Sequence, residues 1–293
     1  MPIATGFAGW SPTRPGRAIA RRFVAGEQLA DAVEVATELN RSGMTVSLDH
    51  LGEEVADAVP AAAARDAYLA CLDAIEGRGL DANISVKLTQ LGLGFDDRLA
   101  AESLQSLAVR AADVGTSVSV DMEGSAYTAA TVDLVAGIMA EHTNVGVALQ
   151  AYLFRTEEDL DRLAPLGGHV RLCKGAYSEP KEIAFSSRRR VNQSYDRLLT
   201  RLMAAEGTMP AIATHDTARI DHSIAEATRR RGPWEFQMLY GVRPGLQRRL
   251  VDEGHNLRVY VPYGVAWYPY LTRRLAERPA NLWFFLRAVF SRR

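Results

Sequence analysis

Short apolar runs rich in β-branched residues alternate along this chain with longer stretches in which leucine and alanine recur at helical spacing. The runs cover 45–48, 83–88, 117–121, 146–150, 169–173, 211–214, 235–239 and 258–261. They read as strands with both faces covered, because apolar residues fill them almost continuously. Helical stretches lie between them at 61–76, 98–114, 126–141, 157–163, 188–203, 218–230 and 247–253. A further helix is predicted over 26–41, ahead of the first strand.

Eight strands, each followed by a helix, predict parallel pairing through right-handed crossovers. Eight such units close naturally into a (β/α)8 barrel of the α/β class, here TIM-like but distorted and carrying an extra N-terminal helix. An open dinucleotide-binding sheet is the competing fold, and it would want a Gly-x-Gly-x-x-Gly turn. Gly92-Leu93-Gly94-Phe95-Asp96-Asp97 starts that way but lacks the third glycine and the following helix start. No Walker loop, internal repeat or interdomain linker is found.

Residues 1–18 read as a flexible arm, and residues 19–293 as one barrel domain. Gly6, Gly9, Pro12, Pro15 and Gly16 break up any early amphipathic helix. That argues against a transit peptide, although the first 26 residues carry Arg14, Arg17, Arg21 and Arg22 and no acidic residue.

Composition narrows the functional classes. Hydrophobic residues make up 47% and charged residues 24%, as in a soluble protein with a large core. A net charge of −1 disfavours a nucleic-acid footprint. Cys71 and Cys173 form neither a disulfide framework nor a metal-ligand spacing, which fits a reducing, cytoplasmic setting. No apolar run approaches the roughly 20 residues of a membrane span.

In such barrels chemistry gathers at the carboxyl ends of the strands. Those ends carry Asp49 and His50, then Lys87 with Thr89, then Asp121 and Glu123, then Gln150 and Tyr152. Farther along stand Arg171 and Lys174, Thr214-His215-Asp216, Glu235 and Gln237, and Tyr260. Any single one of these is more often a cap or a salt-bridge partner than a site residue, and Asp216 could simply cap the next helix. Taken together, Lys87, Arg171 and Lys174 predict a cationic site that calls for an anionic ligand.

Asp49, His50, His215 and Asp216 are metal-ligand types, but the surrounding cations and the absence of a His-x-His after a strand argue against a metal. No Gly-x-Ser-x-Gly elbow supports a serine triad.

If residues 270–277 are helical, Tyr270, Arg273, Arg274 and Glu277 share one face. Adjacent guanidiniums suit a small carboxylate, which arginine grips with a planar fork. Read by itself, the segment fits a solvated helix face equally well.

Nine segments in order then carry a family resemblance. They are Ser47-Leu48-Asp49-His50-Leu51-Gly52-Glu53, Ile84-Ser85-Val86-Lys87-Leu88-Thr89, Val120-Asp121-Met122-Glu123, Leu149-Gln150-Ala151-Tyr152-Leu153 and Arg171-Leu172-Cys173-Lys174-Gly175-Ala176-Tyr177. Ala213-Thr214-His215-Asp216, Glu235-Phe236-Gln237-Met238-Leu239-Tyr240-Gly241, Val259-Tyr260-Val261-Pro262-Tyr263-Gly264 and residues 270–277 complete the set. The chain resembles the monofunctional bacterial proline dehydrogenases and, from about residue 19 to 290, the dehydrogenase domain of the bifunctional proline-utilisation flavoproteins. Ala266-Trp267-Tyr268-Pro269 departs from the polar turn usual in the bifunctional members, and Ser178 stands where they tend to have tryptophan.

The resemblance implies a barrel that binds FAD without a Rossmann domain and carries its last helix over the barrel mouth. The implied reaction is oxidation of L-proline to 1-pyrroline-5-carboxylate by hydride transfer to flavin N5, with electrons passed to a quinone-type acceptor in the catabolism of proline to glutamate. By the same resemblance Arg273 and Arg274 pair with the substrate carboxylate, aided by Lys87, while Tyr260, Tyr270 and Leu239 enclose the ring. Asp121, Gln150, Arg171, Lys174, Gly175, Ala176, Thr214, His215 and Glu277 are implied to hold the cofactor. Glu53 is implied to pair with Arg273 as a gate.

A related flavin barrel acting on 4-hydroxyproline is the alternative enzyme, and the Tyr260 ring, which would crowd a hydroxyl, disfavours it. A barrel that binds an anion without catalysis is the alternative outside enzymes. The apolar cluster Trp283, Phe284, Phe285, Leu286 and Phe290 is read as packing on the barrel. Peripheral contact with the inner face of a quinone-bearing membrane is the other reading.

Overall fold

The computed structural model of the protein describes residues 22–52, 54–267 and 270. Eight parallel strands close into one barrel: β1 (Thr45–His50), β2 (Ala82–Val86), β3 (Val118–Val120), β4 (Val145–Gln150), β5 (His169–Cys173), β6 (Met209–Ala213), β7 (Glu235–Leu239) and β8 (Leu257–Tyr263). Closure comes from a six-residue register between β1 and β8, running from Thr45 opposite Arg258 to His50 opposite Tyr263.

Helix α1 (Leu29–Arg41) precedes the barrel, as the sequence predicts. The outer layer comprises α2 (Ala58–Arg78), α3 (Asp97–Asp113), α4 (Ser125–Met139), α5 (Thr156–Leu163), α6 (Arg188–Ala204), α7 (Thr217–Ala227) and α8 (Pro244–Asp252).

Local chemistry sets the helix limits. The Asp57 side chain accepts the Val59 N–H and starts α2 three residues before the predicted 61, since Pro60 is tolerated in a first turn. Gly79 ends that helix in the left-handed region at φ 59°. Asp96, Ser187 and Asp216 cap α3, α6 and α7 in the same way as Asp57. Pro244 at the first helical position starts α8 ahead of the predicted 247.

Each strand alternates between two faces. Val46, Leu48, Ile84, Val86, Val118, Val120, Val147, Val170, Leu172, Phe236 and Val259 are buried in the layer between sheet and helices. At roughly 1.5–3 kcal/mol for each large aliphatic side chain, this layer drives folding. The other face lines the barrel and is unusually polar, with Ser47, Asp49, Ser85, Ser119 and Arg171 all buried.

Six of the eight strands differ from the sequence reading in at least one limit, and two of these differences bear on the site. Strand β1 continues two residues past the predicted 48, through Asp49 and His50, which pair with Pro262 and Tyr263. Strand β2 stops at Val86, and Leu88–Leu91 forms a buried single-turn 3-10 helix preceded by Lys87. Residues 1–18 and, apart from Tyr270, the helix expected over the mouth lie outside the described residues. No helix among the described residues is long and apolar enough to cross a membrane.

Candidate active site

Three consecutive strands repeat one device. Ser47 and Asp49, Ser85 and Lys87, and Ser119 and Asp121 each stand two residues apart, so each pair projects to the same face. The charged member comes last, at the carboxyl end of its strand. Arg171 on β5 and Tyr260 on β8 reach the same space.

Lys87 Nζ donates to Asp49 Oδ1 at 2.8 Å, to Asp121 Oδ2 at 3.2 Å and to the Tyr260 hydroxyl at 3.4 Å. The Tyr260 hydroxyl donates to Asp121 Oδ2 at 2.7 Å. Arg171 Nη1 donates to Asp121 Oδ1, while Nη2 donates to Ser85 Oγ at 3.0 Å and Ser119 Oγ at 2.6 Å. Its guanidinium carbon lies 5.4 Å from the centre of the Tyr260 ring.

Two carboxylates and two cations therefore balance one another in a buried space. Burial alone would push Lys87 down, but Asp49 and Asp121 outweigh it and hold the ammonium well above its usual range. Burial would raise Asp121, but Lys87, Arg171 and the Tyr260 hydrogen bond hold its carboxyl well below the usual range. Burial and the Asp121 charge keep the Tyr260 hydroxyl protonated.

The ends of β4 to β6 continue the site. Gln150 Nε2 donates to the Glu123 carbonyl at 2.9 Å, and its Oε1 accepts the Ala176 N–H at 3.4 Å. Gly175 takes φ 114°, and a Cβ there would lie 2.2 Å from Tyr152 Cδ1, so only glycine fits this turn. Thr214 Oγ1 accepts the Asp216 N–H at 3.1 Å, and His215 Nε2 accepts the Leu239 N–H at 3.1 Å.

The structure thus brings Lys87, Asp121, Arg171 and Tyr260 into one cluster, with Gln150, Gly175 and Ala176 beside one another. Lys174 departs from the expected convergence of cations. Its ammonium donates to Asn192 Oδ1 and Asp216 Oδ2, both at 2.7 Å, because Asp216 is the nearer anion beyond β6. Glu235, read in sequence among the strand-end residues, opens β7 at the amino end and pairs with Arg258 at 2.8 Å. Tyr270 is buried with Val24, Leu51 and Trp267. Glu53, Arg273, Arg274 and Glu277 lie outside the described residues.

The sequence reading did not single out Ser85 and Ser119, the two hydroxyls that accept from Arg171. The serine two places before each charged strand end was the available signal. No group of three or more metal-ligating side chains occurs among the described residues. A groove of about 880 Å³ along α1 and α2 and a cavity of about 380 Å³ at the amino end of the barrel lie away from this cluster.

The sequence model of the family described as proline dehydrogenase matches residues 32–287. The chain belongs to the proline dehydrogenase family. It is 37% identical to proline dehydrogenase 1 of Bacillus subtilis over 291 residues, covering 98% of this chain and 95% of that protein. A proline dehydrogenase of Deinococcus radiodurans is 35% identical over 288 residues, covering 93% of this chain and 90% of that one.

The crystal structure of proline utilization A from Bdellovibrio bacteriovorus, inactivated by N-propargylglycine, superposes with a TM-score of 0.84 at 24% identity, over 89% of this chain and 33% of that one. Proline dehydrogenase-family membership makes the chain an oxidoreductase, built on the same barrel as a third of the larger protein.

Proposed function

We propose that this family member oxidises L-proline to 1-pyrroline-5-carboxylate with FAD as cofactor and passes the electrons to a quinone-type acceptor. The observation that carries the reading is the charge-balanced cluster of Asp49, Lys87, Asp121, Arg171 and Tyr260 at the carboxyl end of the barrel.

The donor set suits an anionic, hydrogen-bonding cofactor. Gln150, Arg171, Lys174, Thr214 and His215 lie along the carboxyl ends of β4 to β6, with the Gly175 and Ala176 backbone between them. Arg171 Nε is buried without a partner among the described residues. These residues, with Asp121 and Glu277, would hold FAD, which supplies the hydride acceptor when bound.

The remaining steps fall to side chains. Because the four charges of the cluster already cancel, a substrate carboxylate needs further cations, and Arg273 and Arg274 supply them. Lys87 aids them as a fixed positive charge. Tyr260, Tyr270 and Leu239 enclose the apolar ring and exclude water, and Glu53 closes on Arg273. Lys87 and Asp121 are both locked in their charged forms, which makes them poor acceptors for the proton that the substrate amine must lose. Solvent takes that proton.

The test is spectroscopic. The protein purified with FAD is expected to be yellow, and its flavin absorbance to bleach anaerobically on adding proline and return on adding a soluble quinone. A colourless protein that FAD cannot reconstitute would sink the proposal. The enzyme is placed in the cytoplasm, and sedimentation with vesicles tests whether it also contacts a quinone-bearing membrane.

A further inference from the structure

Glu123 lies two residues beyond Asp121 and makes no hydrogen bond to the charge cluster. Its carboxylate grips a single residue on the neighbouring strand end: Oε1 accepts the Thr89 hydroxyl at 2.6 Å and Oε2 accepts the Thr89 N–H at 3.1 Å. Its own main-chain carbonyl accepts from Gln150 Nε2. The Thr89 carbonyl in turn accepts the Val55 N–H at 3.2 Å, just past the loop that leaves β1. A chain of hydrogen bonds through Thr89, Glu123 and Gln150 therefore links the loop after β1, the turn after β2, the end of β4 and the loop after β5.

Only 9% of Glu123 is exposed. Burial pushes its carboxyl up, and the two Thr89 bonds offset part of that. A buried carboxyl is a costly way to fasten one turn, which an apolar pair could also fill. What an apolar pair lacks is direction. The carboxylate fixes Thr89 through two convergent donors and so fixes the main chain around Glu123. With that carbonyl held, the Gln150 amide has one orientation, NH2 toward Glu123 and oxygen toward Ala176.

We propose that Glu123 is a positioning residue: by clamping Thr89 it orients the Gln150 amide and, through it, the Gly175–Ala176 backbone that would hold FAD. This rests on the FAD-binding reading above. Because Glu123 acts through Thr89 and Gln150, its effect appears first in how the cofactor is held and only afterwards in turnover.

The experiment compares the wild-type chain with Glu123→Ala, Glu123→Gln and Thr89→Val. FAD affinity is measured by titrating the apoprotein, the visible flavin spectrum is recorded for each holoprotein, and apoprotein melting is followed separately. Glu123→Ala is expected to weaken FAD binding about tenfold or more and to shift the flavin band, as loss of hydrogen bonds to a charged group implies. Thr89→Val should reproduce that shift. Glu123→Gln, which still offers an acceptor to Thr89, should recover most of the affinity and the wild-type band.

Unchanged FAD affinity and spectrum in Glu123→Ala would overturn the proposal. So would a loss that merely follows a lower apoprotein melting temperature and that Glu123→Gln does not rescue. If Glu123→Ala fails to fold, Thr89→Val with a wild-type spectrum overturns it equally well. A wild-type chain that binds no FAD overturns the functional reading itself, and this inference with it.

Discussion

Lys87 and Asp121 meet at 3.2 Å across the ends of β2 and β3, and neither is satisfied by the other alone. Lys87 needs Asp49, whose carboxylate is fully buried, and Asp121 needs Arg171 and Tyr260. A lone ion pair this deep would gain little over an apolar pair, because desolvation offsets the attraction. Four charges that cancel, with a tyrosine and two serines among their hydrogen-bond partners, form a neutral floor. Such a floor gives an incoming carboxylate no net attraction, so affinity for an acid must come from the side of the mouth opposite it.

Removing one charge from the floor exposes that balance. Asp121→Asn leaves Lys87 and Arg171 with one carboxylate between them and should cost about 3–5 kcal/mol of stability, the penalty for an uncompensated buried charge. The wild-type carboxyl is held below its ordinary range, so its contribution is present above that range and disappears as pH falls through its folded value. Urea unfolding at neutral and acid pH checks both statements. The Asp121→Asn variant should lie closer to wild type in acid than at pH 7.

Tyr260→Phe is milder. It removes the 2.7 Å hydrogen bond to Asp121 and the 3.4 Å bond accepted from Lys87 but leaves the ring beside Arg171 and both ion pairs of Lys87. A loss of about 1–2 kcal/mol is expected. A double-mutant cycle with Asp121→Asn should show coupling of about 1 kcal/mol or more, since the two groups touch. Additive effects would mean that the hydroxyl does not bond Asp121.

Much of this architecture is legible in the sequence, and the exceptions have physical reasons. Val46, Ile84, Val118, Val147 and Val170 mark their strands because both faces of a barrel strand are covered. Asp49 and His50 fall beyond the apolar run 45–48 that marks β1, yet the strand carries both: Asp49 faces the polar barrel interior, and His50 on the opposite face packs against Tyr68 of α2. Lys87, Asp121, Arg171 and Tyr260 stand out by charge and position. Their pairing does not, because β2, β3, β5 and β8 meet across the barrel through a register that only closure sets. Ser85 and Ser119 carry no chemical flag of their own. Lys174 misleads because Asp216, an evident helix cap, is also its ion-pair partner.

Gly175→Ala tests the turn beside the proposed cofactor site. A methyl group would meet the Tyr152 ring at 2.2 Å, and the residue would have to hold φ 114°. Relief requires the loop to move away from Gln150. FAD binding should therefore weaken more than about tenfold, while far-ultraviolet circular dichroism stays that of the wild type. Titration of the apoprotein with FAD measures it.

Arg273→Met and Arg274→Met test the clamp that the neutral floor demands. Loss of one partner of a desolvated charge pair costs roughly 2–5 kcal/mol, so KM for proline should rise at least about thirtyfold in each variant. FAD content should not change. An unaltered KM in both variants would refute the carboxylate assignment.

At the amino end of the barrel a buried histidine makes stability depend on pH. His169 is buried against Gly146, with Nε2 unpartnered among the described residues. Burial, helped by the charges of Arg171 and Arg258, pushes its pKa from 6.5 down to about 3. A group depressed in this way contributes fully above its unfolded value and loses that contribution as pH falls toward its folded one. The window is therefore about pH 6.5 to 3, and the whole shift corresponds to on the order of 4–5 kcal/mol. His169→Phe keeps a ring against Gly146 and cannot titrate. Between pH 7 and pH 4.5 the wild type should lose about 2–3 kcal/mol more stability than the variant, measured by urea unfolding. Equal losses in the two chains would show that His169 is already free to take up a proton in the folded protein.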